Sequence, residues 1–197
     1  GGYQWYDQTS GTSSIPEITA DGLIATGQAV WIYANSAGNV TFNQANKVTA
    51  DATYIRSADL EDNSLHVTIS ENESTYECTM MLEERVGANN GLDESLDIRH
   101  LSTGQERAPS LAVKNDEALI RKNFIAADAR NKSFDLFMRI VKDGYHTVSI
   151  GNWAYFRDYQ DILLFDHKTG ETIDLKEENY VFFGEAEDSE NVRFTLI

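Results

Sequence analysis

Apolar residues in this chain recur at every second position, in short runs broken by polar turns. Leu65, Val67 and Ile69 lie on one face of such a run and His66 and Thr68 on the other, the period of a half-buried β-strand. Tyr76, Cys78, Met80 and Leu82 repeat the pattern after the polar connector Glu71–Ser74. Phe134, Leu136, Met138 and Ile140 alternate again, Asp143-Gly144 supplies a hairpin turn, and Tyr145 to Ile150 returns. Near the end, Thr169-Gly170 separates Leu163–Phe165 from Ile173–Leu175, and the pairs Tyr180/Phe182 and Phe194/Leu196 each mark one buried face.

Ser110–Val113 and Ala118–Ile120 read as further short strands, and Gly27–Tyr33 with Val40–Phe42 reads as a hairpin across Ala37-Gly38-Asn39. No window keeps a convincing helical period with caps at both ends; Ser57–Asp62, one possible helical turn, comes nearest. Both prolines, Pro16 and Pro109, fall between runs, as a sheet requires. The pattern predicts an all-β antiparallel β-sandwich, jelly-roll or Ig-like, of about nine to twelve strands. Residues 1–24, with the aromatic cluster Tyr3, Trp5 and Tyr6, read as an entry segment holding one short strand, and residues 25–197 as a single β-sandwich module.

Composition narrows the partners. A chain of 197 residues can bury a sizeable core without covalent staples. With 32 acidic against 16 basic residues the net charge is −16, spread along the chain, so phosphate-rich nucleic acid and anionic membranes are disfavoured. No apolar run is long enough for a membrane-spanning helix, so no membrane insertion is expected. The single cysteine, Cys78, excludes an intrachain disulfide and sits in an alternating context that predicts burial. Sequons at Asn39, Asn72 and Asn131 are compatible with a secretory route.

Four pieces of the chain carry a likeness in order. They are Gly27-Gln28-Ala29-Val30-Trp31-Ile32 with Gly38-x-Val40-Thr41-Phe42; Ala88-x-Asn90-Gly91-Leu92-Asp93-x-x-Leu96-Asp97; Gly144-Tyr145-x-Thr147-Val148-x-Ile150; and Asp166-x-x-Thr169-Gly170-x-x-x-Asp174-Leu175-x4-Tyr180-x-Phe182, then Arg193-Phe194-x-Leu196. Together they resemble a β-sandwich module of large secreted and surface proteins of Bacteroidota, commonly found just ahead of a type IX secretion sorting domain. The chain departs from that pattern at Leu92 and Leu96, at Ile98, at Gly184 where the family often has Ala, and in lacking the family's opening segment. The resemblance implies an extracellular or cell-surface location, a structural or adhesive role, and an unfilled sheet edge through which neighbouring modules or copies of the chain would assemble, as in a filament.

Candidate chemistry is sparse. The acidic loop offers Asn90, Asp93 and Asp97 as oxygen ligands for Ca2+, although the spacing is not that of an EF-hand, and such residues also hydrogen-bond their own backbone in turns. Trp153, Tyr155 and Tyr159, beside Asn and Arg in a strand connector, suit stacking on sugar rings; the competing reading has Trp153 and Phe156 cap the core. The four histidines are scattered, with His66 and His146 read as outward-facing, and no nucleophile elbow, phosphate loop or dinucleotide fingerprint occurs. The expectation is a non-enzymatic module with no cofactor beyond a possible Ca2+, and the alternative is a carbohydrate-binding module with glycan partners.

Overall fold

The computed structural model describes residues 6–7, 12–13, 36–39, 41, 63–89, 91–93, 96–101, 108–116, 118–126, 132–156, 161–188 and 192–197. The chain forms two compact units, Gly1–Leu60 and Glu61–Ile197. The expected boundary between residues 24 and 25 lies outside the described residues, as do the predicted hairpin strands 27–33 and 40–42 and the turn 57–62, except for residue 41. In the first unit β1 (Tyr6–Asp7) and β2 (Thr12–Ser13) pair antiparallel, Tyr6 opposite Ser13.

The second unit carries β3 (Leu65–Glu71), β4 (Glu77–Glu84), β5 (Ile98–Arg99), β6 (Ser110–Asn115), β7 (Ala118–Ile125), β8 (Phe134–Arg139) and β9 (Gly144–Gly151). It continues with β10 (Leu163–Asp166), β11 (Glu171–Asp174), β12 (Tyr180–Gly184) and β13 (Val192–Leu196). These make one mixed sheet of 11 strands in the order β11-β10-β13-β8-β6-β7-β4-β3-β9-β12, with β5 on β7, curled until it is nearly closed like a barrel. The all-β expectation holds, and among the described residues helix is confined to short 3-10 turns.

One pairing departs from the expected antiparallel pattern: β4 and β7 run parallel, Met81 opposite Lys122 and Glu84 opposite Ile125. The pairing shares β7 among three strands. Its first half pairs with β6, Ile120 opposite Val113, while β5 occupies the other edge at both Ile120 and Lys122. A strand has only two edges, so β4 and β6 take successive halves of the same one. Beyond it the buried Cys78 of β4 still accepts a hydrogen bond from the Leu111 amide of β6 at 3.2 Å.

Inside the curled sheet lies the core that the alternation predicts. Leu65, Val67 and Ile69 of β3, Cys78, Met80 and Leu82 of β4, Leu136 and Met138 of β8, and Phe194 and Leu196 of β13 are buried. Each large apolar side chain removed from water in this way contributes about 1.5–3 kcal/mol. The hairpin at Thr169-Gly170 forms as read, joining β10 to β11 with Gly170 at φ 76°, a conformation costly for any residue with a Cβ. Tyr76 does not continue its run: β4 begins at Glu77 and the Tyr76 ring is exposed.

His146 also departs from expectation. It shares the phase of Val148 on β9 and is only 1% exposed, stacked on the Phe182 ring at 5.7 Å. Its Nδ1 donates to the Gly144 carbonyl at 2.9 Å. Room for the imidazole comes from Gly184, because a Cβ there would meet His146 Nδ1 and Ile140 Cγ1 at 3.1 Å each.

Candidate functional site

β12 ends the strand order, paired among the described residues with β9 alone, and its five residues Tyr-Val-Phe-Phe-Gly are apolar on both faces. Tyr180 and Phe182 point inward, where Phe182 meets the Phe194 ring of β13 at 5.0 Å and Tyr180 meets it at 6.0 Å. Beneath them lies a buried polar cluster. Asp166, at the end of β10, accepts from Arg193 Nη2 at 2.9 Å, from the Tyr180 hydroxyl at 2.9 Å and from the Lys168 amide at 2.8 Å. Burial pushes the Asp166 carboxyl up, but the Arg193, Lys168 and Tyr180 hydrogen bonds outweigh it and hold the group below the usual carboxylate value.

Arg193 reaches this position through a β-bulge. Val192 faces Phe137 and Phe194 faces Leu136, so Arg193 is the extra residue on β13, and the irregularity re-aims its side chain. Its guanidinium lies 4.4 Å from the Phe182 ring centre, donates to the Phe183 carbonyl of β12 at 3.2 Å and to Asp188 at 2.7 Å. Asp188 in turn holds Lys168 at 2.9 Å. The seam between β12 and the β10–β11 hairpin is therefore latched by side chains, and a cavity of about 380 Å3 remains there, lined by Lys168, Thr169, Glu171, Phe183, Glu185 and Arg193 among others.

Above the latch the outward face of β12 is apolar. Phe183 is 48% exposed, Val181 53% and Tyr145 of the adjoining β9 60%, and Phe183 and Tyr145 meet edge to face at 5.4 Å. Phe183 sits directly opposite Tyr145 in the β9–β12 register, so the contact is a cross-strand pair rather than a chance approach. A clustered apolar surface on a terminal strand is the kind that other chains cover.

The expected site residues have other surroundings. Asp97 is buried and its carboxylate accepts from the Phe124 amide at 2.7 Å, the Asn123 amide at 3.0 Å and the Asp93 amide at 2.8 Å. Burial raises its pKa above the usual carboxylate value against the pull of those bonds. Asn89 caps the same turn through the Gly91 amide at 2.8 Å, so the loop is tied to its own backbone and to β7. Asn90 lies outside the described residues, and among those described no cluster of three or more His, Cys, Asp or Glu is arranged to hold a metal ion.

Trp153 opens a 3-10 turn, Trp153–Phe156, that follows Asn152 at φ 54°. Phe156 is buried in the core, whereas the Trp153 indole is 40% exposed with the Lys176 ammonium 5.4 Å from its ring centre. The Tyr155 side chain and Tyr159 lie outside the described residues. Neither the loop nor the indole leads to Tyr145, Val181 and Phe183, which sequence reasoning passed over. The signal for them was present in Tyr180–Gly184: a strand buried on one face alone alternates with polar residues, and this one does not.

No curated protein and no solved structure matches the chain. A family model described as a domain of unknown function (DUF8693) matches residues 1–197 and so spans both compact units. The chain belongs to the DUF8693 family.

Proposed function

We propose that this chain is a non-catalytic module of a secreted or cell-surface protein that works by contact between copies of itself along β12. The observation that carries this reading is the exposed Tyr145–Phe183 pair beside Val181 on a strand with one sheet neighbour among the described residues. Addition of a second β12 would satisfy edge backbone groups and cover the apolar row in one step, the mode by which strands extend a sheet between chains. The Arg193 and Asp166 latch favours this role, because an edge held to its own core keeps its shape while a partner docks.

The reading also rests on the resemblance to surface modules, which supplies the adhesive or structural setting. Glycan binding is the competing reading, favoured by the exposed Trp153 indole, although Lys176 lies over that ring. Sedimentation velocity from low micromolar to near-millimolar protein separates them. Concentration-dependent association of the wild type, abolished in Phe183→Lys with its melting curve unchanged, is expected. A wild type that stays monomeric throughout, with polysaccharide pull-down lost in Trp153→Ala, would replace this reading with the second.

A further inference from the structure

A second cavity, of about 460 Å3, opens where the β6–β7 hairpin meets the start of β8. Its wall is mainly polar and includes Lys114, Asn115, Asn123, Lys132, Ser133 and Asp135. Lys132 is the unusual member: its Nζ is shut off from solvent and makes no hydrogen bond among the described residues. An ammonium in that condition is costly, since burial removes its hydration and nothing replaces it. The carboxylate of the wall does not relieve it: Asp135 accepts from the Thr195 hydroxyl at 2.9 Å and gives the Lys132 ammonium no hydrogen bond. Asn123 is likewise committed through its amide group to Asp97.

We propose that this cavity binds a small oxyanion, a carboxylate or a phosphate, with the Lys132 ammonium as its charge partner. Lys114, the Asn115 amide and the Ser133 hydroxyl line the same space and are the donors that an acceptor-only ligand requires. The chain as a whole repels anions at net charge −16, so capture depends on a short-range trap of this kind rather than on long-range attraction. A cation would meet two ammonium groups against one carboxylate, and is the poorer fit.

The test is thermal unfolding of the full chain titrated with sodium phosphate, sulfate and acetate, each against sodium chloride at matched ionic strength. Wild type should show a saturating rise with at least one oxyanion, about 3–6 °C at tenfold the half-saturating concentration. Whichever of phosphate or acetate saturates at the lower concentration identifies the source. Lys132→Arg should keep the response and Lys132→Met should lose it, while Lys132→Met in chloride melts at or above the wild type because an unpaired ammonium has gone. The proposal is overturned by equal response to oxyanions and chloride, by a response that survives Lys132→Met, or by a Lys132→Met chain that melts lower or does not fold, which would make Lys132 a structural residue.

Discussion

Arg193 holds Asp166 with two donors, Nε at 3.2 Å and Nη2 at 2.9 Å, in a pair whose side chains are 5% and 1% exposed. Both residues belong to the closing motifs picked out in the sequence, as do Thr169, Tyr180, Phe182 and Phe194. In the fold these positions converge on one seam: Tyr180 donates to Asp166, and the Arg193 guanidinium lies over the Phe182 and Phe194 rings. The motif thus describes how the last strands are latched to the edge strand β12.

Removing one partner of a buried pair leaves the other charge uncompensated, so Asp166→Ala should lower unfolding free energy by about 3–5 kcal/mol. The double variant Asp166→Leu with Arg193→Met should lose less than Asp166→Ala alone, because no orphan charge remains. Urea unfolding of the three chains measures both, and a double variant weaker than the single would show that the pair stabilises beyond its own desolvation.

The same pair sets the acid limb of stability. Burial raises the carboxyls of Asp166 and Asp188, but their hydrogen bonds to Arg193 and Lys168, together with backbone amides, leave both below the ordinary value of 3.8. A folded pKa below the unfolded one means that the unfolded chain binds more protons in that window. Their contribution is therefore complete above the ordinary carboxylate range and is lost as pH falls through the folded values. Asp97, raised by burial, has the opposite sign and favours folding as it protonates. Melting temperature should fall as pH drops below about 4, and Asp166→Asn should flatten that fall; an unchanged slope would remove Asp166 from the account.

Gly184 faces His146 and Ile140 so closely that Gly184→Ala should cost about 1–3 kcal/mol through overpacking. Gly144, its partner in the β9–β12 register, has nothing within 4 Å of an added Cβ. Gly144→Ala should accordingly lie within about 0.5 kcal/mol of wild type. Denaturation midpoints compare the two, and equal losses would mean that the space beside His146 is not limiting.

The alternating strands were legible because each buries one face, so Leu65, Val67 and Ile69 or Leu136, Met138 and Ile140 carry the period openly. His146 was legible too, by its phase with Val148, and only its polarity argued for the surface. Arg193 was hidden, since a bulge breaks the period that would have turned it outward. The parallel β4–β7 pair was hidden because strand partners far apart in the chain leave no local mark. Asp97 illustrates the same limit: an acidic loop reads equally as ligand or turn until Asn123 and Phe124 are brought to its carboxylate.

Hydrogen–deuterium exchange of β12, Tyr180–Gly184, at dilute and at concentrated protein tests the proposed contact most directly. Self-pairing along this edge predicts slower exchange of β12 amides in the concentrated sample, with β6 in the middle of the strand order unchanged. Identical exchange of β12 at both concentrations would contradict it.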